Sequence, residues 1–77
     1  MIVPIDMEKY REAHGHLPYG FGWWEFTVDV TSARATRRHT REFGYVGDFD
    51  TAVKELDAAM TQVFRGKACT VTATVKP

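Results

Sequence analysis

The stretch from Trp23 to Thr31 constrains the fold of this chain more than any other part of its sequence. Side chains of a β-strand point alternately to the two faces of a sheet, and every second residue here is apolar. The apolar set consists of Trp24, Phe26, Val28 and Val30. We therefore predict a strand with one buried face. Trp23 then lies on the opposite, otherwise polar face, where a loop or a binding partner must cover it.

Two segments have the features of helices. Residues 7–14 form a short candidate, with Asp6 as its N-cap and Gly15 as the residue that ends it. Residues 50–65 form a longer one, with Asp50 as the expected N-cap and Gly66 as the expected stop. Apolar residues recur along the longer segment at helical spacing, as Val53, Leu56, Ala59 or Met60, Val63 and Phe64.

Two further segments are predicted to be strands. Residues 67–76 form a candidate strand, in which Cys69, Val71, Ala73 and Val75 share one face and Thr70, Thr72 and Thr74 the other, the alternation typical of a half-buried strand. Residues 34–46 have no continuous apolar face, and only the end near Phe43 and Tyr45 has a buried character. We therefore place this basic segment at a sheet edge. Residues 2–5 are either a short strand or an extended lead-in, and Pro4 excludes a central position for them.

The order of these elements predicts a fold. A crossover helix between the second and third strands makes those two strands parallel, and placing the third beside the first makes that pair antiparallel. We therefore expect one small α+β domain over residues 1–77, with a short N-terminal helix followed by β-β-α-β. The three-stranded, mostly antiparallel sheet has the order 2-1-3 and packs on one main helix.

Composition and charge exclude several classes of protein. The formal net charge is zero, so no overall field directs the chain to nucleic acid or to a membrane. Cys69 is the only cysteine, which rules out an internal disulfide and is typical of a reducing compartment. The first residues lack the features of a signal peptide, and no apolar run approaches the length of a membrane span. We expect an intracellular, cytoplasmic location.

Residue types used in catalysis are present, but not in the patterns that catalysis or metal binding requires. His14 and His16 flank a single glycine, a spacing that matches no zinc motif. Cys69 occupies an apolar position of the last strand, where free cysteines are usually buried. Gly20 and Gly22 precede a strand, unlike the glycines of a nucleotide-binding loop. We expect no enzymatic activity, no cofactor and no metal.

The segment between residues 19 and 41 combines aromatic residues with a local excess of basic side chains. Trp, Tyr and Arg dominate binding hot spots, so we predict that this segment contains the contact surface. The candidate residues are the aromatic Tyr19, Phe21 and Trp23 and the basic Arg34, Arg37, Arg38, His39 and Arg41. Because the strand register is not fixed by the sequence, it stays open which basic residues face outward.

Two functions fit such a surface. The first is stoichiometric binding to a larger protein or nucleoprotein partner, as an inhibitor or adaptor. Phage and mobile-element proteins that inhibit a host machine, anti-CRISPR proteins above all, are similar in general character and act inside the host cell. The second is nucleic-acid binding, with arginines on phosphates and aromatics stacked on bases. A basic edge strand also discourages aggregation, and exposed strand edges permit a homodimer.

One part of the sequence resembles a known family. The order of residues is Gly22-Trp23-Trp24, then Phe26, Val28 and Val30, then Arg37-Arg38, then Phe43, Phe49 and Thr51-Ala52. This order resembles the AP2-like, arm-type DNA-binding domains of phage integrases, in which a strand array precedes one helix. The resemblance implies DNA binding. The chain differs from the family in its final strand, its N-terminal helix and its neutral charge. The resemblance assigns no site residues to this chain.

Overall fold

The computed structural model describes residues 2–32 and 38–77, so the predicted site residues Arg34 and Arg37 lie outside the described residues. The elements in chain order are β1 (Ile5–Asp6), α1 (Glu8–His14), β2 (Phe21–Ser32), β3 (Arg38–Asp48), α2 (Phe49–Val63) and β4 (Cys69–Val75). None of the helices in this part of the chain is long and apolar enough to cross a membrane.

The strands form one mixed sheet of order β1-β4-β2-β3. β2 is antiparallel to both β3 and β4, which confirms the predicted small α+β domain and the order of its three main strands. The sheet has one strand more than predicted, because β1 pairs in parallel with β4. Two hydrogen bonds anchor this segment: the Val3 N–H donates to Asp57 Oδ1 of α2, and the Ala73 N–H donates to the Pro4 carbonyl.

The core lies between α2 and one face of the sheet. The predicted alternation of β2 is confirmed, since Trp24, Phe26, Val28 and Val30 are all buried. β4 contributes Val71, Ala73 and Val75, and α2 contributes Phe49, Ala52, Leu56 and Met60. Val63, which the helical spacing assigned to the core, is 41% exposed, because α2 ends at this residue.

The boundaries of α2 differ from the predicted ones at both ends. Asp50 is not the N-cap: the cap is Asp48, whose backbone is extended and whose carboxylate accepts a hydrogen bond from the Asp50 N–H at 3.1 Å. The helix therefore starts one residue earlier, at Phe49, whose side chain is buried in the core. It also ends earlier, at Val63, and Gly66 adopts a left-handed conformation in the turn that follows.

We expect Asp48→Ala to lower the free energy of unfolding by about 1 kcal/mol, which is the usual cost of losing an N-cap side chain. Asp50→Ala is the matched control, because this acid lies in the first turn and contributes only a few tenths of a kcal/mol through the helix dipole. Urea denaturation followed by circular dichroism measures both. An equal loss for the two variants would contradict the assignment of Asp48 as the cap.

The short helix α1 begins one residue later than predicted. Asp6 precedes the N-cap residue Met7, and its carboxylate accepts a hydrogen bond from the Glu8 N–H at 2.9 Å. Gly15 ends the helix in a left-handed conformation, as predicted. Tyr10 anchors α1 on the core, because its ring lies 5.7 Å from the Trp24 ring. Both helices therefore pack on the same face of the sheet.

The opposite face of the sheet is not covered by any other part of the described chain. We call it the open face. Residues Trp23, Glu25, Thr27 and Asp29 of β2 lie on it, as the alternation predicts, and they are exposed or half-buried. The alternate residues of β3 and β4 flank them, among them Glu42, Val46 and the threonines 70, 72 and 74.

Candidate functional site

Three large apolar side chains lie together at one end of the open face. Trp23 pairs with Val46 across the β2–β3 hairpin, and Phe21 precedes Trp23 by two residues on the same face. Their exposed fractions are 67%, 54% and 81% for Trp23, Val46 and Phe21. We call Phe21, Trp23 and Val46 the aromatic patch. Contiguous apolar surface of this kind is typical of a binding site.

The indole of Trp23 is held in place by its neighbours. Its Nε1–H donates a hydrogen bond to Glu25 Oε1 at 2.7 Å, on the same face two residues along the strand. The ring also lies beside Gly44, where an added Cβ would stand 3.9 Å from the indole Cζ2. A ring that is oriented before binding loses less conformational entropy when a partner covers it.

Charged residues border the aromatic patch on one side. Trp23, Gly44 and the side chains of Glu25, Glu42 and Lys76 line a shallow depression of about 270 Å³. Lys76 Nζ lies 2.7 Å from Glu42 Oε2 and 3.9 Å from Glu25 Oε2. The hydrogen bond to Glu42 raises the pKa of Lys76 above its ordinary value. One lysine therefore serves two carboxylates, so this border is acidic.

The third predicted aromatic residue, Tyr19, is not part of the aromatic patch. The chain turns at Gly20, whose φ of 79° is left-handed, before β2 begins. The Tyr19 ring is 72% exposed and lies 5.1 Å from the ring of His16. Tyr19 therefore belongs to a cluster around α1, in which the Tyr10 ring stacks on His14 at 4.1 Å.

Arg38, the first residue of the predicted basic cluster that the structure describes, lies on the open face at the far end of the hairpin. It pairs with Thr31, eight residues along β2 from Trp23, which corresponds to roughly 26 Å at the rise of an extended strand. Its guanidinium lies 3.4 Å from the Asp29 carboxylate. Arg38 and the aromatic patch therefore do not form one compact site.

His39 and Arg41 lie on the opposite side of the sheet from Arg38. They pair with the buried Val30 and Val28, so their side chains emerge on the face that carries the helices. The Arg41 guanidinium carbon stands 5.4 Å from the centroid of the Phe64 ring, in a cation–π contact. The register that the sequence left open thus divides the described basic residues between two faces.

A second concave region lies on the helix-bearing face, beyond the end of α2. This groove has a volume of about 500 Å³, and its lining includes His39, Phe64 and Cys69. His39 belongs to β3 and Cys69 to β4, and β2 runs between them. His39 is level with Val71, two residues along β4 from Cys69, so the two backbones lie about 12 Å apart.

Histidines 14 and 16 take part in aromatic packing. Their ring centroids are 6.1 Å apart, and His16 Nδ1 lies 2.8 Å from the Leu17 carbonyl. Within residues 2–32 and 38–77, no group of three or more His, Cys, Asp or Glu side chains is arranged to hold a metal ion.

Val46 is the member of the aromatic patch that the sequence reasoning missed. The alternation of residues 34–46 places Val46 in the same set as Arg38 and Thr40, whose face depends on the register. Only the pairing of Trp23 with Val46 shows that the two side chains are neighbours. The sequence alone holds no signal for this neighbour, because the register of residues 34–46 is not fixed by a continuous apolar face.

Comparison with protein-family models, curated proteins and solved structures finds no match to this chain. The likeness to arm-type DNA-binding domains also meets a difference in the fold. β4 lies between β1 and β2 inside the sheet, so the final strand is an integral part of the domain and not an addition to a strand array followed by one helix.

Proposed function

We propose that this chain is a small, non-catalytic protein-binding module that acts stoichiometrically, as an inhibitor or adaptor, on a larger protein or nucleoprotein partner. The aromatic patch is its contact surface. The observation that carries the proposal is the exposure of Phe21, Trp23 and Val46 side by side on an open sheet face. Rigid aromatic anchors beside a polar border are typical of the centre of a protein interface.

The charges around the aromatic patch favour a protein over a nucleic acid. Glu25 and Glu42 border it, and Asp29 lies farther along the same face, next to Arg38. Carboxylates in these positions repel phosphates, whereas nucleic-acid binders neutralise phosphates with Lys and Arg. Arg38 points to one face of the sheet and His39 and Arg41 to the other, so these three basic residues do not line one groove for a phosphate backbone.

The experiment is affinity capture from the native host lysate, treated with nuclease, with the wild-type chain and two variants. Trp23→Ala removes the central ring of the aromatic patch. Thr27→Ala changes the same face of the same strand away from the patch and is the matched control. We expect one protein to bind the wild type and Thr27→Ala with a defined stoichiometry. Trp23→Ala should bind it at least about 30-fold more weakly, which corresponds to a hot-spot loss of about 2 kcal/mol.

Two results would contradict this proposal. Equal binding by Trp23→Ala and Thr27→Ala would show that the aromatic patch is not the contact surface. Loss of every bound protein after nuclease, together with a steep fall of affinity with salt, would favour the nucleic-acid alternative and its basic residues.

A further inference from the structure

Among the described residues, no strand pairs with the outer edge of β3. The Lys76 N–H donates to the Glu25 carbonyl at 2.9 Å, so the backbone groups of Glu25 point toward β4. Backbone groups of successive strand residues point to alternate sides, so Trp24 and Phe26 turn theirs toward β3. The hydrogen bond from the Phe49 N–H to the Gly20 carbonyl agrees with this alternation, because it also joins an even-numbered residue before β3 to an odd-numbered residue after it. In the described chain, the even-numbered residues of β3 therefore point their backbone groups away from β2.

We propose that this edge pairs with the same edge of a second copy of the chain, antiparallel and centred on Phe43. Antiparallel pairing through these groups joins even-numbered residues to even-numbered residues. Two copies related by a two-fold axis meet this requirement only if the axis lies at a residue of β3 and not between two residues. Of the registers that result, the one at Phe43 pairs all of Arg38–Asp48. The resulting sheet has eight strands.

Charge selects the same register. Centring the pair on Glu42 places this carboxylate opposite itself, and centring it on Arg41 places two guanidinium groups opposite each other. Like charges directly opposite are destabilising. The register at Phe43 instead places Arg38 opposite Asp48 of the second copy, at both ends of the interface. Asp48 Oδ2 caps α2, so in this pairing Arg38 would meet Oδ1 while its guanidinium also lies 3.4 Å from Asp29 of its own chain.

The helix-bearing side of the interface is also complementary. Arg41 stands opposite Tyr45 of the second copy, in a position for a cation–π contact. Phe43 meets its own copy on the two-fold axis, and both Phe43 and Tyr45 are half-buried aromatic residues at the margin of the core. The charged residues placed directly opposite each other, Arg38 and Asp48, are thus of opposite sign. Each Glu42 faces Gly44 of the second copy while it is paired with Lys76 of its own chain.

This arrangement has a consequence for the open face. The two-fold axis stands perpendicular to the sheet, so the open faces of both copies lie on the same side of the dimer. The two aromatic patches then share one surface, related by the axis. The dimer does not rest on the proposed function, because its test reads only the association of purified chains.

The first test compares Thr40→Pro with Thr40→Val by analytical ultracentrifugation over a range of concentrations. Thr40 is exposed, and its N–H points away from β2, so proline removes an intermolecular hydrogen bond and leaves the pairing with β2 intact. We expect the wild type and Thr40→Val to dimerise and Thr40→Pro to dimerise at least about tenfold more weakly, with two such bonds lost per dimer. A wild type that is monomeric at every concentration would overturn the proposal.

The second test measures the register of the pairing by disulfide crosslinking, and it does not depend on whether Thr40→Pro folds. Thr40 faces Val46 of the second copy in a hydrogen-bonded pair, with Cα atoms about 5.5 Å apart, which a disulfide can bridge. In a Cys69→Ala background, we expect an equimolar mixture of Thr40→Cys and Val46→Cys to form a mixed disulfide under mild oxidation. Either variant alone should stay uncrosslinked. Crosslinking of the single variants at the rate of the mixture would overturn this register.

Discussion

Phe26→Ala is expected to lower the free energy of unfolding by about 3–5 kcal/mol, the usual cost of truncating a fully buried phenylalanine. Phe26 is 0% exposed, and its ring stands 6.1 Å from both Phe43 and Phe49, so it joins β2, β3 and α2. Natural domains have about 0.05–0.15 kcal/mol of stability per residue, so this loss removes much of the stability of a 77-residue chain. Urea or thermal denaturation measures it.

The chain supplies a matched control on the same strand. Phe21→Ala makes the same chemical change where the ring is 81% exposed, so we expect it to alter the free energy of unfolding by less than about 0.5 kcal/mol. A loss above 2 kcal/mol for Phe21→Ala would contradict the exposure of the aromatic patch. A loss below 1 kcal/mol for Phe26→Ala would contradict the position of the core.

The sequence predicts the fold where periodicity is strong. β2 and β4 alternate regularly, and a crossover helix joins β3 to β4, so the order of the main strands follows from burial and handedness. β1 was less predictable, because two residues carry no period and its place depends on the long-range bond from Val3 to Asp57. The start of α2 was misplaced for a related reason. Asp48 and Asp50 are equally good cap residues, and burial of Phe49 decides between them.

The candidate site was predictable in its residue types but not in its arrangement. The alternation of β2 is sufficient to place Trp23 on an exposed face. The neighbours of Trp23 depend on the register of β3, which has no continuous apolar face to fix it. For this reason the sequence could not show that Val46 joins Trp23 or that Arg38 and Arg41 lie on opposite faces. Tyr19 lies outside the aromatic patch because the chain changes direction at Gly20, whose backbone is left-handed.

Trp24→Ala is expected to be at least as destabilising as Phe26→Ala, although the neighbouring Trp23 is 67% exposed. Trp24 is 6% exposed, and its Nε1–H donates a buried hydrogen bond to the Gly47 carbonyl at 3.0 Å. Truncation costs about 3–5 kcal/mol of packing and about 1 kcal/mol more for the lost hydrogen bond, since the Gly47 carbonyl still faces Gly22 across the hairpin. Denaturation of Trp24→Ala and Trp24→Phe bounds the two contributions, because phenylalanine keeps a six-membered ring and loses the donor together with part of the packing.

The contrast between the two tryptophans tests the fold and the proposed function together. The Trp24 ring lies 4.9 Å from Phe49 and 5.7 Å from Tyr10, so it fixes both helices on the sheet beneath the aromatic patch. Trp24→Ala should therefore lose stability and partner binding together, and α1 should become sensitive to proteolysis. Trp23→Ala should lose binding alone, with an unchanged denaturation midpoint. If Trp23→Ala instead unfolded the domain, its ring would be part of the core, and the open face would have no anchor for a partner.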